Sequence, residues 1–415
     1  MKRITGIFVA FMLLVAAPGC KKDSAFEFTK YTAPATAGTE TRNVTQETRN
    51  VLILYSAGFN SLSSYLKEDI SDLQRGFVPQ KRTRADHVLL VYSRLPSKYR
   101  TYSPTTKSAL FRIYKDDEGN VIRDTLRTWD EDTNASSAST MREVLEFTAS
   151  KFPAKGYGMV FSSHSSGWLP ERYYTDPSEF EGGIFSLRSM GQDVTPSGDV
   201  EMELKDFAGA IPFRLDYMLI DACLAGGVEV AFQLKGKADI VGFSQTEILA
   251  DGFDYPTIAS RLLKKDPDPV QVCKDYFAIY DARTGVYNSA TISAVDTRQM
   301  EDLALVSRDL FEKYRTQMAA VNPSKVQGFF RYDRHYFYDL KDILEKSGAS
   351  ESDLLLLQNA LDKCILYKAN TRSFMSDFAI RSYCGLSMYL PANGSDFLDT
   401  YYRTLDWNIE TKLVE

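Results

Sequence analysis

Histidine is the scarcest reactive residue in this chain. Three occur among 415 residues, at His87, His164 and His335. There is no His-Glu-x-x-His and no close cysteine pair, so no zinc site is legible and no metal is expected. Cysteine is also sparse: Cys20, Cys223, Cys273, Cys364 and Cys384. Five thiols spread this widely do not make a disulfide scaffold, and most of them read as buried core residues. No long basic block occurs and the formal net charge is −6. That argues against a nucleic-acid surface. Gly-x-Ser-x-Gly is absent, which removes the usual signal for a serine nucleophile. What remains is a globular composition, 44% hydrophobic and 25% charged. It is enough for one large core or two moderate ones.

The N-terminus reads as a leader. Lys2 and Arg3 precede an apolar run from Ile4 to Ala17. That run is too short to span a bilayer comfortably. It ends in Val15-Ala16-Ala17-Pro18-Gly19-Cys20, which resembles the lipobox of bacterial lipoproteins, with Ala17 standing where leucine is common. The resemblance implies a signal peptide over 1–19 and an acylated Cys20. It places the protein in the cell envelope, held by lipid to a membrane, the outer membrane being favoured, and facing periplasm or cell surface. Residues 20–48 are rich in Thr, Ala and Ser and read as a solvated tether.

From residue 49 the pattern changes. Val51–Tyr55, His87–Tyr92, Gly158–Ser162, Tyr217–Ile220, Ala238–Phe243 and Ser289–Val295 are apolar runs of strand length. Helical spacing separates most of them, over 62–73, 138–151, 200–210, 226–234, 254–264, 268–282 and 298–319. Continuously apolar strands alternating with helices predict a mostly parallel sheet covered on both faces, an α/β/α sandwich. Two short β-like runs flank Asp116-Asp117-Glu118-Gly119-Asn120 and predict a hairpin inserted near 93–128. Beyond 320 the spacing predicts helices over 336–346 and 352–367, then a strand at 385–390. These form a C-terminal extension, 321–415, to a domain over 49–320.

Two strand ends carry reactive side chains. Val160-Phe-Ser-Ser-His164-Ser-Ser-Gly-Trp168 and Leu219-Ile-Asp221-Ala-Cys223-Leu-Ala-Gly-Gly227 each run from an apolar strand into a small-residue turn. In open parallel sheets the carboxyl ends of the strands form the binding edge. Adjacent strands would bring thiol and imidazole together there. The imidazole could take the thiol proton and return it to a leaving amine. A helix starting behind Cys223 would favour the thiolate and offer N–H groups to an oxyanion. Taken singly, a strand-end cysteine is more often a small core residue. His87 reads as structural or exposed, and His335 as an edge residue among aromatics.

The two motifs, His164-Ser-Ser-Gly-Trp168 and Asp221-Ala-Cys223-Leu-Ala-Gly226, resemble the paired motifs of the clostripain family of cysteine peptidases. Tyr55 and Asn60, Gly242–Tyr255 and Cys384–Pro391 extend the resemblance from about residue 49 to the C-terminus. It implies a caspase-like fold and a thioester acyl-enzyme, with Cys223 as nucleophile and His164 as base. It implies an oxyanion hole from the backbone N–H groups of Ser165 and Cys223. It also implies protein or peptide substrates cleaved after Arg or Lys, with Asp221 in the P1 pocket, Asp251 as a second acid and Glu247 as its rival. Ser165 departs from the glycine common at its position. Its extra Cβ opens the alternative of a catalytically silent surface lipoprotein that binds peptides or glycans. Some family members need calcium or mature by internal cleavage. No Asp-rich calcium loop is legible, while Arg172 and Arg188 lie in a loop-rich stretch at 165–199. No cofactor is expected, and a monomer is.

Overall fold

The structure is a computed structural model. It describes residues 50–81, 87–96, 107–170, 190–195, 198–331 and 336–415. The leader, Cys20, the tether, Arg172, Arg188 and His335 lie outside the described residues.

The first half of the chain supplies β1 (Asn50–Ala57), α1 (Ser63–Arg75), β2 (His87–Arg94), β3 (Ala109–Lys115), β4 (Val121–Thr128), α2 (Ala138–Lys151), β5 (Gly156–Ser162), β6 (Met190–Thr195), β7 (Gly198–Met202) and α3 (Leu204–Ala210). Next come β8 (Leu215–Asp221), α4 (Val228–Gln233), β9 (Ala238–Phe243), α5 (Tyr255–Leu262), α6 (Pro269–Asp281), β10 (Thr291–Asp296) and α7 (Met300–Ala320). The C-terminal part holds β11 (Tyr338–Asp339), α8 (Leu340–Lys346), α9 (Glu351–Cys364), β12 (Ile365–Asn370), α10 (Asp396–Tyr402) and α11 (Asp406–Thr411).

Nine strands form one sheet in the order β12-β10-β9-β8-β5-β1-β2-β3-β4. The central five, β9-β8-β5-β1-β2, are parallel, and antiparallel pairs extend both edges. Successive side chains alternate between the faces. Leu52 and Leu54 face Ile70 and Leu73 of α1, Ile258 of α5 and Val272 of α6. Val51, Ile53 and Tyr55 face Met141 and Leu145 of α2, Phe207 of α3 and Val230 of α4. Each buried aliphatic side chain contributes ~1.5–3 kcal/mol, so these two cores hold the helices to the sheet. The result is the expected α/β/α sandwich. The hairpin forms as β3–β4, where the Asn120 N–H donates to Asp116 Oδ1 at 2.7 Å.

Three helical expectations change. Residues 200–210 begin as strand, because Val200 and its neighbours pair with β6 before α3 starts. The stretch 336–346 starts with Tyr338 and Asp339 paired to Met388 and Ser387. Asp339 then caps α8, accepting from the Asp342 N–H at 2.9 Å. The third helix stops at Cys364, and residues 365–370, read as helix up to 367, become β12 against β10. At 385–390 only Ser387–Met388 is strand.

Candidate active site

β5 and β8 are parallel neighbours, and Ser162 at the end of β5 pairs with Asp221 at the end of β8. His164 and Cys223 each lie two residues beyond that last pair. The sheet therefore delivers both reactive residues to one edge, next to the point between β1 and β5 where the strand order reverses. The register continues past the strands, since the Ser163 N–H donates to the Asp221 carbonyl at 3.4 Å.

Of the four described cysteines, Cys223 alone is not fully buried. Its thiol lies against the loop after β9. The Ile248 N–H donates to Sγ at 3.4 Å, and Sγ donates to the Ile248 carbonyl at 3.9 Å. Packing under this loop removes water from the sulfur and pushes the thiol up to about 12, with Glu247 adding to the rise. On the imidazole side, His164 Nε2 shares a 2.8 Å hydrogen bond with Ser61 Oγ. Desolvation brings the imidazole down to about 4, opposed by the negative charge of Asp199. Thiol and imidazole do not hydrogen-bond to each other in this arrangement. Both are neutral around pH 7.

The helix expected directly behind the thiol starts later. α4 begins at Val228 rather than Gly226 and has six residues. Leu224 takes a left-handed turn at φ 60°, and Gly227 pairs with Ser387 in an isolated bridge. These keep the chain out of helical geometry for four residues after Cys223. No helix terminus lowers the thiol, in keeping with its upward shift. Gly167 closes this turn from the histidine side. It has φ 65°, and a Cβ there would lie 2.4 Å from the Leu224 carbonyl oxygen. The His164 and Cys223 loops thus meet through backbone at a position that admits only glycine.

Ser165 adopts no positive φ, so its Cβ imposes no backbone strain. Its hydroxyl accepts from the Gly167 N–H at 2.9 Å and lies 3.3 Å from Met190 Sδ. The departure from glycine thus braces the turn. Met190, at the start of β6, also pairs with Ser165 in an isolated bridge.

Asp221 is buried, and the Tyr255 hydroxyl donates to its Oδ2 at 2.6 Å. Burial pushes it up to about 6, against the hydrogen bonds from Tyr255, Phe253 and Ser162. Gly252, at φ 59°, lies over it: a Cβ would approach Oδ2 to 2.5 Å. The Gly252 carbonyl is held in turn by the Tyr280 hydroxyl at 2.8 Å. Sequence reasoning missed a second buried carboxylate here. Asp69 of α1 is 7% exposed. Burial raises it to about 9, with Asp221, Asp251 and Glu68 adding to the rise. It reads in the sequence as an ordinary polar position on an amphipathic helix. Asp251 is exposed and pairs with Arg283 at 2.8 Å. Glu247, the rival acid, is held by Arg331 through two hydrogen bonds at 2.5 and 2.7 Å. Its charge is compensated by that pair, and it acts on the Cys223 thiol.

The C-terminal segment backs both loops. Trp168 is fully buried, with its ring 5.1 Å from those of Tyr389 and Tyr402. Glu229 of α4 accepts from the Tyr389 N–H at 2.9 Å and the Tyr402 hydroxyl at 2.7 Å. Buried Gln245 donates from Nε2 to the Gly385 carbonyl at 2.8 Å and the Gly226 carbonyl at 3.3 Å. These links explain why Gly242–Tyr255 and Cys384–Pro391 accompany the histidine and cysteine motifs: they fix the ground on which the loops stand. Among the described residues no group of three or more His, Cys, Asp or Glu side chains is arranged to hold a metal ion. Nor does any described helix have the length and apolarity to cross a membrane.

Solved structures share this fold. The chain is similar to an inactive zymogen C11 protease from Parabacteroides distasonis, with 27% identity and a TM-score of 0.73 over 88% of this chain and 99% of that one. It is similar in fold to a secreted C11 cysteine protease from Bacteroides thetaiotaomicron, "iotapain", with 20% identity and a TM-score of 0.71 over 88% and 99% of the two chains. A secreted C11 cysteine protease from the same organism, in complex with an irreversible peptide inhibitor, gives 23% identity and 0.72 over 88% and 98%. No curated protein matches the chain. The sequence profile of the clostripain family matches residues 54–413, nearly the whole described chain, and on that match the protein belongs to the clostripain family and is a cysteine-type endopeptidase.

Proposed function

We propose that Cys223 is the nucleophile and His164 the general base of a peptidase that cleaves after Arg or Lys. The observation that carries this reading is the β5–β8 register, which sends both residues off one sheet edge two positions beyond a paired Ser162 and Asp221. With both groups neutral at rest, the thiol proton passes to the imidazole as sulfur attacks the scissile carbonyl. The backbone N–H groups of Ser165 and Cys223 stabilise the oxyanion. The imidazolium then protonates the leaving amine, and water hydrolyses the thioester.

Asp221 receives the P1 guanidinium or ammonium. A buried carboxylate already oriented by Tyr255 suits a charged, hydrogen-bonding partner. Asp251, paired with Arg283, is the second acid of this reading. A peptide-library cleavage assay with the purified protein tests this, with Cys223→Ala as control. Cuts confined to bonds after Arg and Lys, lost in the variant, support it. Cuts after neutral residues would refute the P1 assignment.

The lipid anchor at Cys20 is part of the same proposal and rests on the Val15–Cys20 segment alone. Mass spectrometry of the mature N-terminus should show an acylated Cys20. An unmodified start elsewhere removes the anchor and the envelope placement with it.

A further inference from the structure

We infer that Ser61 is a positioning residue for the base: its hydroxyl accepts the Nε2 proton of His164 and leaves the lone pair on Nδ1. This rests on the reading of His164 as general base. An imidazole has two distinct nitrogens, and the partner of one decides the role of the other. Ser61 engages Nε2 at 2.8 Å, so Nδ1 is the nitrogen left for the thiol. A serine hydroxyl can donate or accept. Were it to donate to Nε2, Nδ1 would carry the proton and could not receive another. Accepting from Nε2–H serves both protonation states, because the same bond persists in the imidazolium.

The turn that presents Ser61 is fixed on all sides. Asn60 is fully buried, and its Nδ2 donates to the Ala57 carbonyl at 3.0 Å and the Gln192 carbonyl at 2.8 Å. Its Oδ1 accepts from the Leu62 N–H at 2.9 Å. The Val194 N–H donates to the Phe59 carbonyl at 2.9 Å. Ser163, next to His164, closes the ring: its hydroxyl donates to the Ala57 carbonyl at 2.7 Å and accepts from the Gln192 N–H at 3.1 Å. Ser61 and His164 therefore stand on one hydrogen-bonded frame joining β1, β5 and β6. The Ser61 bond sets how the ring is turned within it. Asp199 of β7 is the charged group that His164 feels, and it favours the imidazolium.

The step balances within these groups. The S–H proton of Cys223 moves to Nδ1 while the S–C bond forms and the carbonyl π pair moves to oxygen. The Nε2 proton stays on the imidazole, hydrogen-bonded to Ser61 Oγ. The Nδ1 proton then goes to the amine nitrogen as the C–N bond breaks.

The test compares Ser61→Ala, Ser61→Thr and His164→Ala in the full protein. Ser61 lies at the surface, and melting curves will confirm that each variant folds. For Ser61→Ala, kcat should fall about tenfold with KM nearly unchanged, the size expected for one lost hydrogen bond. Ser61→Thr should restore most of it. Imidazole ¹⁵N NMR should show His164 as the Nε2–H tautomer in the native protein and a mixture in Ser61→Ala. With three histidines in the chain, assignment by loss of signal is direct. A native Nδ1–H tautomer, or wild-type kcat in Ser61→Ala beside an inactive His164→Ala, overturns the Ser61 role alone. Full activity in His164→Ala overturns the base assignment, and the Ser61 role with it.

Discussion

Ile248 grips the Cys223 thiol through its backbone, donating to Sγ at 3.4 Å and accepting from it at 3.9 Å. The site at rest thus holds a protonated thiol under a loop rather than an exposed thiolate.

Alkylation reads this directly. Iodoacetamide should modify Cys223 slowly at neutral pH, and the rate should keep climbing through pH 10, because the thiol is raised to about 12. A plateau near pH 7 would show a thiolate already formed. A peptide ketone with Arg at P1 and an electrophilic leaving group should react far faster than iodoacetamide, since binding holds its electrophile next to the sulfur.

If Asp221 receives the P1 side chain as proposed, it sets the acid side of the pH profile for basic substrates. Its carboxyl is raised to about 6, so the pocket gains its charge as pH rises through that value and loses it below. The kcat/KM for an Arg-P1 peptide should therefore fall below pH 6, while the neutral base persists to about 4. Asp221→Asn should cost about 30-fold or more in kcat/KM at pH 7.5 and remove the limb near 6. An unchanged limb in the variant would assign it to another group.

Burial of Asp69 favours its protonated form. A carboxyl raised to about 9 binds its proton more tightly folded than unfolded, so its penalty grows as pH rises from about 4 to 9. Asp69→Asn should be more stable than the native protein at pH 8 and no different from it at pH 3. Urea titrations at both pH values check this. Destabilisation at pH 8 would mean that a compensating cation holds Asp69.

Trp168 couples the histidine loop to the C-terminal segment. Trp168→Ala removes a fully buried ring against Tyr389 and Tyr402. It should cost ~3–5 kcal/mol of stability. Activity should fall further than the loss of folded protein explains, because His164 lies four residues upstream. Activity that tracks folded fraction alone would make Trp168 a packing residue only.

The sequence made the sheet and its reactive edge legible for a physical reason. β5 and β8 are apolar on both faces, and each ends in small residues around one reactive side chain. That combination survives without any tertiary information. The bend after Cys223 did not show itself, because the left-handed residue is Leu224 rather than a glycine. The pattern therefore read as a helix starting early. β12 was hidden because Cys364 to Tyr367 continues a helical spacing, and only pairing with β10 turns it to strand. Asp69 and Ser61 were invisible for a related reason. A carboxylate on an amphipathic helix and a serine in a turn are ordinary, and their meaning comes from what the fold sets against them.

The most direct test of the nucleophile is adduct mapping. The protein is incubated with a peptide ketone bearing Arg at P1 and an electrophilic leaving group, then digested and read by mass spectrometry. One adduct on Cys223, absent from a folded Cys223→Ala variant that has lost hydrolysis, is the predicted result. An adduct on Cys273, Cys364 or Cys384, or undiminished hydrolysis by Cys223→Ala, would contradict it.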